Sequence, residues 1–252
     1  MFDLGGSVAL VTGAGSGIGK TTALLYARHG AAVALCGRRV EKLQQVCAEI
    51  EASGGRAFVA PMDVAREQDV IAAVTAASAA LGTIDILVNN AGLASQTSII
   101  ETSETGWDQV LDINLKGPWL CAREVAKHLI AARKPGAIIN ISSILGIMSQ
   151  KGTGPYAASK SGLIHLTKVM AAEWARYGIR VNAIAPGYFA TDMADDFLDS
   201  ERGKKLIAAI PQRRIGKVQE LEAPLLLLAS AASAYMTGST LVVDGGLTLG
   251  QL

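Results

Sequence analysis

Seven short runs along the chain are apolar at nearly every position: residues 7–13, 31–37, 56–63, 84–92, 136–142, 179–187 and 239–246. A strand with one wet face alternates apolar and polar residues. Continuous runs instead suit strands covered on both faces of a parallel sheet. Between the runs, at 17–29, 39–52, 66–81, 107–132 and 156–176, the sequence has a helical pattern. Repeated strand–helix units predict an α/β fold: a doubly wound, parallel, seven-stranded sheet flanked by helices on both faces, with right-handed crossovers. No linker, repeat or low-complexity tract breaks the alternation, so residues 1–252 are expected to form a single domain. Residues 188–212 carry mixed charge and no strand pattern. They are expected to lie over the sheet edge as a substrate lid.

One uncharged stretch, 223–243, is long enough to cross a bilayer. Residues 237–239, Thr-Gly-Ser, interrupt it. Residues 225–228 read as helix and 241–243 as strand, so no membrane partner is expected. Half of the 252 residues are hydrophobic, enough to bury a large core. The formal net charge of +1 gives no reason to expect a nucleic acid partner. The three cysteines, Cys36, Cys47 and Cys121, form no CxxC pair. A reduced, cytoplasmic setting fits them better than a disulfide or zinc framework. The histidines His29, His128 and His165 lie inside helical patterns and read as surface or packing residues. No metal set or catalytic triad is expected among them.

Candidate chemistry begins where the first strand turns into a helix, at "TGAGSGIG", residues 12–19. Gly13, Gly17 and Gly19 there would permit a tight turn and let backbone approach a pyrophosphate at the helix start, beside Ser16 and Ile18. A second signal is "YAASK": Tyr156 and Lys160 lie four residues apart, on one helical face. The glycine spacing, G-x-x-x-G-x-G, and this Tyr-x-x-x-Lys pair resemble the short-chain dehydrogenase/reductase family. Asp63, "NNAG" at 89–92, Asn114, Ser143 and "PGYFAT" at 186–191 match it in family order. The resemblance covers nearly the whole chain. It implies a Rossmann-like sheet and an oxidoreductase that moves a hydride between a nicotinamide cofactor and a ketone or secondary alcohol.

The end of the second strand bears on which cofactor. An acidic residue there would hold the ribose hydroxyls of NAD(H) and repel a 2′-phosphate. The chain has Gly37 at that place, followed by Arg38 and Arg39. A guanidinium can grip a phosphate through paired hydrogen bonds. NADP(H) is therefore favoured, with NAD(H) the alternative; Ser16, where some NADP-preferring relatives carry a basic residue, weighs the other way. By resemblance, Asp63 would accept from the adenine amine, with Val64 beside the ring. Asp63 as a helix cap is the competing reading. The resemblance also implies that Asn89 supports the cofactor strand, that Asn90, Ala91 and Gly92 border the cofactor, and that Pro186 and Gly187 shape the turn under the nicotinamide. Phe189 would offer backbone groups to the carboxamide and Thr191 its hydroxyl.

A free phenol, with a pKa of about 10, is a poor base at neutral pH. The Lys160 ammonium and an oxidised nicotinamide would both favour phenolate. A shift of about three units needs roughly 4 kcal/mol. Tyr156 would then be the general acid/base. Ser143, at the end of the fifth run, would bind the reacting oxygen; Ser142 is the alternative. Asn114 would mark a helix distortion that leaves a water site linking Lys160 to solvent, or else be a satisfied packing amide. Substrate candidates are Ala94, Ser95, Gln96, Leu145, Ile147, Tyr188, Met193 and Phe197, which include no cation. Neutral ketones or alcohols fit such a pocket. The chain also resembles sugar-acid dehydrogenases and 3-oxoacyl thioester reductases of the family. A catalytically idle dinucleotide sensor is a competing reading. So is a sugar-nucleotide epimerase or dehydratase, which usually adds a C-terminal domain. The resemblance further implies a homotetramer, with helices at 107–132 and 156–176 pairing across a two-fold axis and the C-terminal strand building a second interface.

Overall fold

In the computed structural model, which describes residues 2–94, 96–190 and 201–250, every apolar run becomes a strand trimmed at its ends. These are β1 (Val8–Thr12), β2 (Ala32–Gly37), β3 (Ala57–Pro61), β4 (Ile86–Asn89), β5 (Gly136–Ile141), β6 (Ile179–Pro186) and, after two short strands β7 (Phe189–Ala190) and β8 (Gly216–Lys217), the last strand β9 (Thr240–Val243). The seven main strands pair in parallel in the order β3-β2-β1-β4-β5-β6-β9.

Successive residues of a strand point to opposite faces. Val8 and Leu10 therefore join one core, and Ala9 and Val11 the other. Both faces are covered, which is why the runs do not alternate. On one face lie α1 (Gly17–Arg28), α2 (Val40–Ala52) and the helix Glu222–Ala229, contributing Tyr26, Leu43, Ile50 and Leu225. On the other lie α3 (Glu67–Leu81), α5 (Gly117–Ala132) and α6 (Gly154–Trp174), contributing Val74, Leu129 and Met170. Gly178, at φ +73°, follows the short 3-10 turn that ends α6.

Two expectations needed revision. The helix expected over 107–132 is three pieces: α4 (Glu104–Leu111), a π turn (Asp112–Lys116) and α5. Pro118 explains the break. It has no N–H to donate to the Asn114 carbonyl four residues back, and its ring crowds that carbonyl; the backbone widens into a π turn. Residues 188–212 were expected to hold no strand, yet β7 pairs with β8. Two residues are too few to show a period, and the pairing rests on Gly216, whose missing side chain leaves room for the Phe189 ring: a Cβ there would sit 2.5 Å from the ring edge. Helix Glu201–Ala209 also lies within that range. The stretch 223–243 breaks into helix, a 3-10 turn at Ala231–Ser233, and β9. Among the described residues no helix is long and apolar enough to cross a membrane.

Candidate active site

The strand order reverses direction at β1 and β4, and in such sheets ligands sit outside the carboxyl ends of the strands at that point. A cleft of about 390 Å³ opens there, lined by Gly13, Ser16, Ile18, Arg38, Arg39, Asp63, Val64, Asn90, Ala91 and Gly92. Ten residues read from separate parts of the sequence thus border one cavity. A larger cavity, about 730 Å³, lies at the opposite end of the sheet beside Ser7, Gly30 and Arg56, and none of the candidate groups lines it.

The turn after β1 is built for close approach. Gly13 has φ +67°, a conformation that favours glycine. A side chain on Gly19 would run into the Gly13 carbonyl and the Asn90 amide. Thr12, which the sequence reading missed, braces the turn. Its hydroxyl accepts from the Asn90 and Ala91 backbone N–H groups, each at 2.9 Å. The Asn90 side chain donates back to the Thr12 carbonyl at 2.9 Å and the Gly13 carbonyl at 3.3 Å. Arg39 donates to the Ser16 hydroxyl at 3.1 Å, so a guanidinium stands over the serine that by itself argued against a phosphate. Asp63 does not cap α3, whose N-cap is Arg66; it accepts from Ala65 N–H at 3.1 Å and borders the cleft. A glycine cradle without side chains, an uncharged Gly37 and two arginines fit a dinucleotide bearing a 2′-phosphate.

Deeper in, β5 delivers two serines. Ser142 donates to the Lys160 carbonyl at 3.0 Å and is committed to α6. Ser143 caps the 3-10 turn Ile144–Gly146, accepting from Leu145 N–H at 3.1 Å, and its hydroxyl is near enough to the Tyr156 phenol to favour phenolate. Lys160 is 4 % exposed. Its ammonium donates to the Ile141 carbonyl at 2.8 Å and stands 5.7 Å from the centre of the Tyr156 ring. Burial lowers the Lys160 pKa to about 8. Burial also raises the Tyr156 phenol above its ordinary value, the Ser143 hydroxyl opposes this, and Tyr188 adds to the rise. The depression expected from Lys160 is not expressed among the chain's own groups, where desolvation dominates.

Asn114 sits in the π turn, fully buried. Its carbonyl oxygen accepts from Leu93 N–H at 2.8 Å, and its amide donates to the Leu93 carbonyl at 2.9 Å and the Ser159 hydroxyl at 3.2 Å. The helix is distorted at Asn114, and the side chain is a satisfied packing amide. Asn89 donates to Asn140 at 2.9 Å and to the Pro118 carbonyl at 3.2 Å, and Asn140 donates to Thr167 at 2.8 Å. This buried chain ties β4 and β5 to α6; Asn140 and Thr167 gave no sequence signal because isolated polar residues in apolar runs look like noise.

Pro186 ends β6, and Gly187 packs on Asp244, where a Cβ would sit 2.8 Å from Cα. Tyr188 is half-buried and donates to the Gln150 side chain at 2.7 Å. Gln96 is exposed, Leu145 partly buried and Ile147 exposed. Ser95, Thr191, Met193 and Phe197 lie outside the described residues. Among the described residues no group of three or more His, Cys, Asp or Glu is placed to hold a metal ion.

Fold and site together define a short-chain dehydrogenase/reductase. The chain matches the family model described as Enoyl-(Acyl carrier protein) reductase over residues 13–248 and belongs to that family. It is 40 % identical to gluconate 5-dehydrogenase of Gluconobacter oxydans over 250 residues, 99 % of this chain and 97 % of that one. It is 39 % identical to the 3-oxoacyl-(acyl-carrier-protein) reductase of Thermotoga maritima over 246 residues, 98 % of this chain and 99 % of that one. Among solved structures, gluconate 5-dehydrogenase of Burkholderia cenocepacia in complex with NADP and tartrate is 40 % identical, with a TM-score of 0.94, covering 99 % of this chain and 98 % of that one.

Proposed function

We propose that the protein is an NADP(H)-dependent oxidoreductase that interconverts a ketone and a secondary alcohol. The observation that carries this reading is the Ser143–Tyr156–Lys160 cluster at the carboxyl end of β5, beside the glycine-lined cleft. NADP(H), when bound, supplies or accepts the hydride. Gly13, Gly17 and Gly19 would hold its pyrophosphate, Arg38 and Arg39 its 2′-phosphate, and Asp63 and Val64 its adenine. In reduction, the Tyr156 hydroxyl passes its proton to the carbonyl oxygen as negative charge develops there. Ser143 donates a hydrogen bond to the same oxygen. In oxidation, the phenolate takes the proton back. The raised phenol holds its proton at neutral pH, which suits the reductive direction; the cationic oxidised nicotinamide beside the Lys160 ammonium would lower it for the reverse. The solved NADP complex of a 40 % identical neighbour supports this cofactor over NAD(H).

Similarity to gluconate 5-dehydrogenase supports a sugar acid or polyol as the substrate, and similarity to a 3-oxoacyl reductase supports a 3-oxoacyl thioester. The free thiols of Cys36, Cys47 and Cys121 support a reducing, cytoplasmic compartment. The uninterrupted seven-stranded sheet supports one domain. Exposed Trp107, Trp119 and Val169 on α4, α5 and α6, with Val242 and Leu249 at the C-terminal end, support a tetramer built on two interfaces.

The test is oxidation of NADPH and of NADH with a panel of ketones, with Tyr156→Phe as control. Turnover should favour NADPH at least tenfold, and the variant should lose at least a hundredfold in kcat. Normal turnover in Tyr156→Phe would refute the assigned chemistry.

A further inference from the structure

Tyr188 and Gln150 come from two separate segments, one following β6 and one preceding α6. Gln150 lies in the segment leading into α6. The Thr153 hydroxyl donates to its backbone carbonyl at 2.8 Å, and Thr153 also bridges to Thr97. Tyr188 follows Gly187, which is wedged on Asp244, and its carbonyl accepts from Gly216 N–H at 2.9 Å. Both residues are thus mounted on braced backbone, and their side chains meet at 2.7 Å. Tyr188 is also near enough to Tyr156 to influence its proton. Gln150 lies between Ser143 and Tyr156 in the chain, and Tyr188 follows the carboxyl end of β6, whose Ile184 carbonyl accepts from Ser142 N–H at 2.8 Å, so the pair sits at the edge of the sheet that carries the reacting groups.

The hydrogen-bond inventory of this pair is specific. The phenol spends its proton on the Gln150 oxygen. That leaves the phenol oxygen as an acceptor and the amide N–H groups as donors, for which no partner is seen among the described residues. A substrate hydroxyl donates and accepts, so it can engage both. A thioester carbonyl or a methylene chain can engage one or neither. Both groups are neutral, so the pair reads a hydroxyl rather than a charge.

Resting on the reductase reading above, we propose that Tyr188 and Gln150 form a hydroxyl-reading pair that selects carbonyl substrates bearing hydroxyl groups next to the reacting carbon. Both are specificity-determining residues; Gln150 also positions the Tyr188 phenol.

The experiment compares NADPH-dependent reduction of 5-ketogluconate with that of 5-ketohexanoate, which keeps the ketone and carboxylate but lacks the hydroxyls. Wild type, Tyr188→Phe and Gln150→Leu are assayed for kcat/KM on each. The ratio of the two values should favour 5-ketogluconate in wild type. It should fall about tenfold in each variant, the loss of roughly one hydrogen bond, and mainly through KM. An unchanged ratio in both variants overturns the proposal. Reduction of a 3-oxoacyl thioester but of neither ketone also overturns it, while leaving the reductase reading intact. Failure to reduce any of the three overturns both.

Discussion

Lys160 shows how one side chain carries opposing demands. Its ammonium is enclosed by β5 and α6, with the Ile141 carbonyl its hydrogen-bond acceptor. Burial brings its pKa down to about 8, against about 10.4 in an unfolded chain. Between those values the unfolded chain holds more protons, so the unfolding free energy rises with pH. Below pH 8 both states are protonated and the folded state bears the whole cost, roughly 3 kcal/mol. Lys160→Met removes that cost at every pH and adds a constant one by leaving Ile141 unpaired. The variant's stability relative to wild type should therefore be greatest below pH 8 and decline as pH approaches 10. Urea midpoints without nucleotide measure it, and a pH-independent difference would mean that the ammonium is not penalised. Tyr156 and Lys160 themselves were legible in the sequence, because their four-residue spacing together with the glycine turn carries the family resemblance. The partners were not: Ile141 and Ser142 are brought to Lys160 only when β5 packs on α6.

At the scale of elements, the π turn is the informative departure. Asn114 marked a distortion, but Pro118 is its cause, and the two stand four residues apart in plain view. Apolar periodicity runs through the break, so a reading based on period alone sees one helix. Gly117 adds a packing reason for this site: a Cβ there would press within 2.9 Å of Val64, which holds α5 near the end of β3. Pro118→Ala restores a donor to the Asn114 carbonyl and should let the helix run regularly. The expected result is a higher unfolding midpoint with kcat lowered several-fold, because Asn114 and its bonds to Leu93 and Ser159 would shift. Thermal melts and steady-state rates test both halves; a stabilised variant with unaltered kcat would separate the π turn from catalysis. The β7–β8 ladder was illegible for a different reason: a two-residue strand has no pattern, and its register depends on Gly216 meeting Phe189.

The whole molecule gathers sites that the chain keeps far apart. Thr12 binds the backbone of Asn90 and Ala91, 78 and 79 residues away. Tyr26 donates to the Leu225 carbonyl across 199 residues. The Thr12 bonds tie the end of β1 to that of β4 at the crevice, the Tyr26 bond ties α1 to the helix Glu222–Ala229, and the proposed assembly would extend the same logic between chains. Light scattering at micromolar concentration should give four times the chain mass. Val169→Arg, on the exposed side of α6, should reduce it to half by placing a charge in one interface. A wild-type monomer would contradict the tetramer.

The order of strands and helices, the glycine turn, the Tyr156–Lys160 spacing and the absence of an acid at Gly37 were all determined by the sequence itself. The order of elements rests on hydrophobic period and the glycine turn on local backbone geometry, which act within a few residues, while the Tyr156–Lys160 and Gly37 readings rest on the resemblance to the family. The engagement of Ser142 by the Lys160 carbonyl, the release of Asp63 from a capping role, the reach of Arg39 to Ser16 and the pairing of Tyr188 with Gln150 were decided only by tertiary structure. Each of these depends on which groups are brought within about 3 Å across long sequence separations, or on which hydroxyl the packing has already engaged, and no local pattern encodes that.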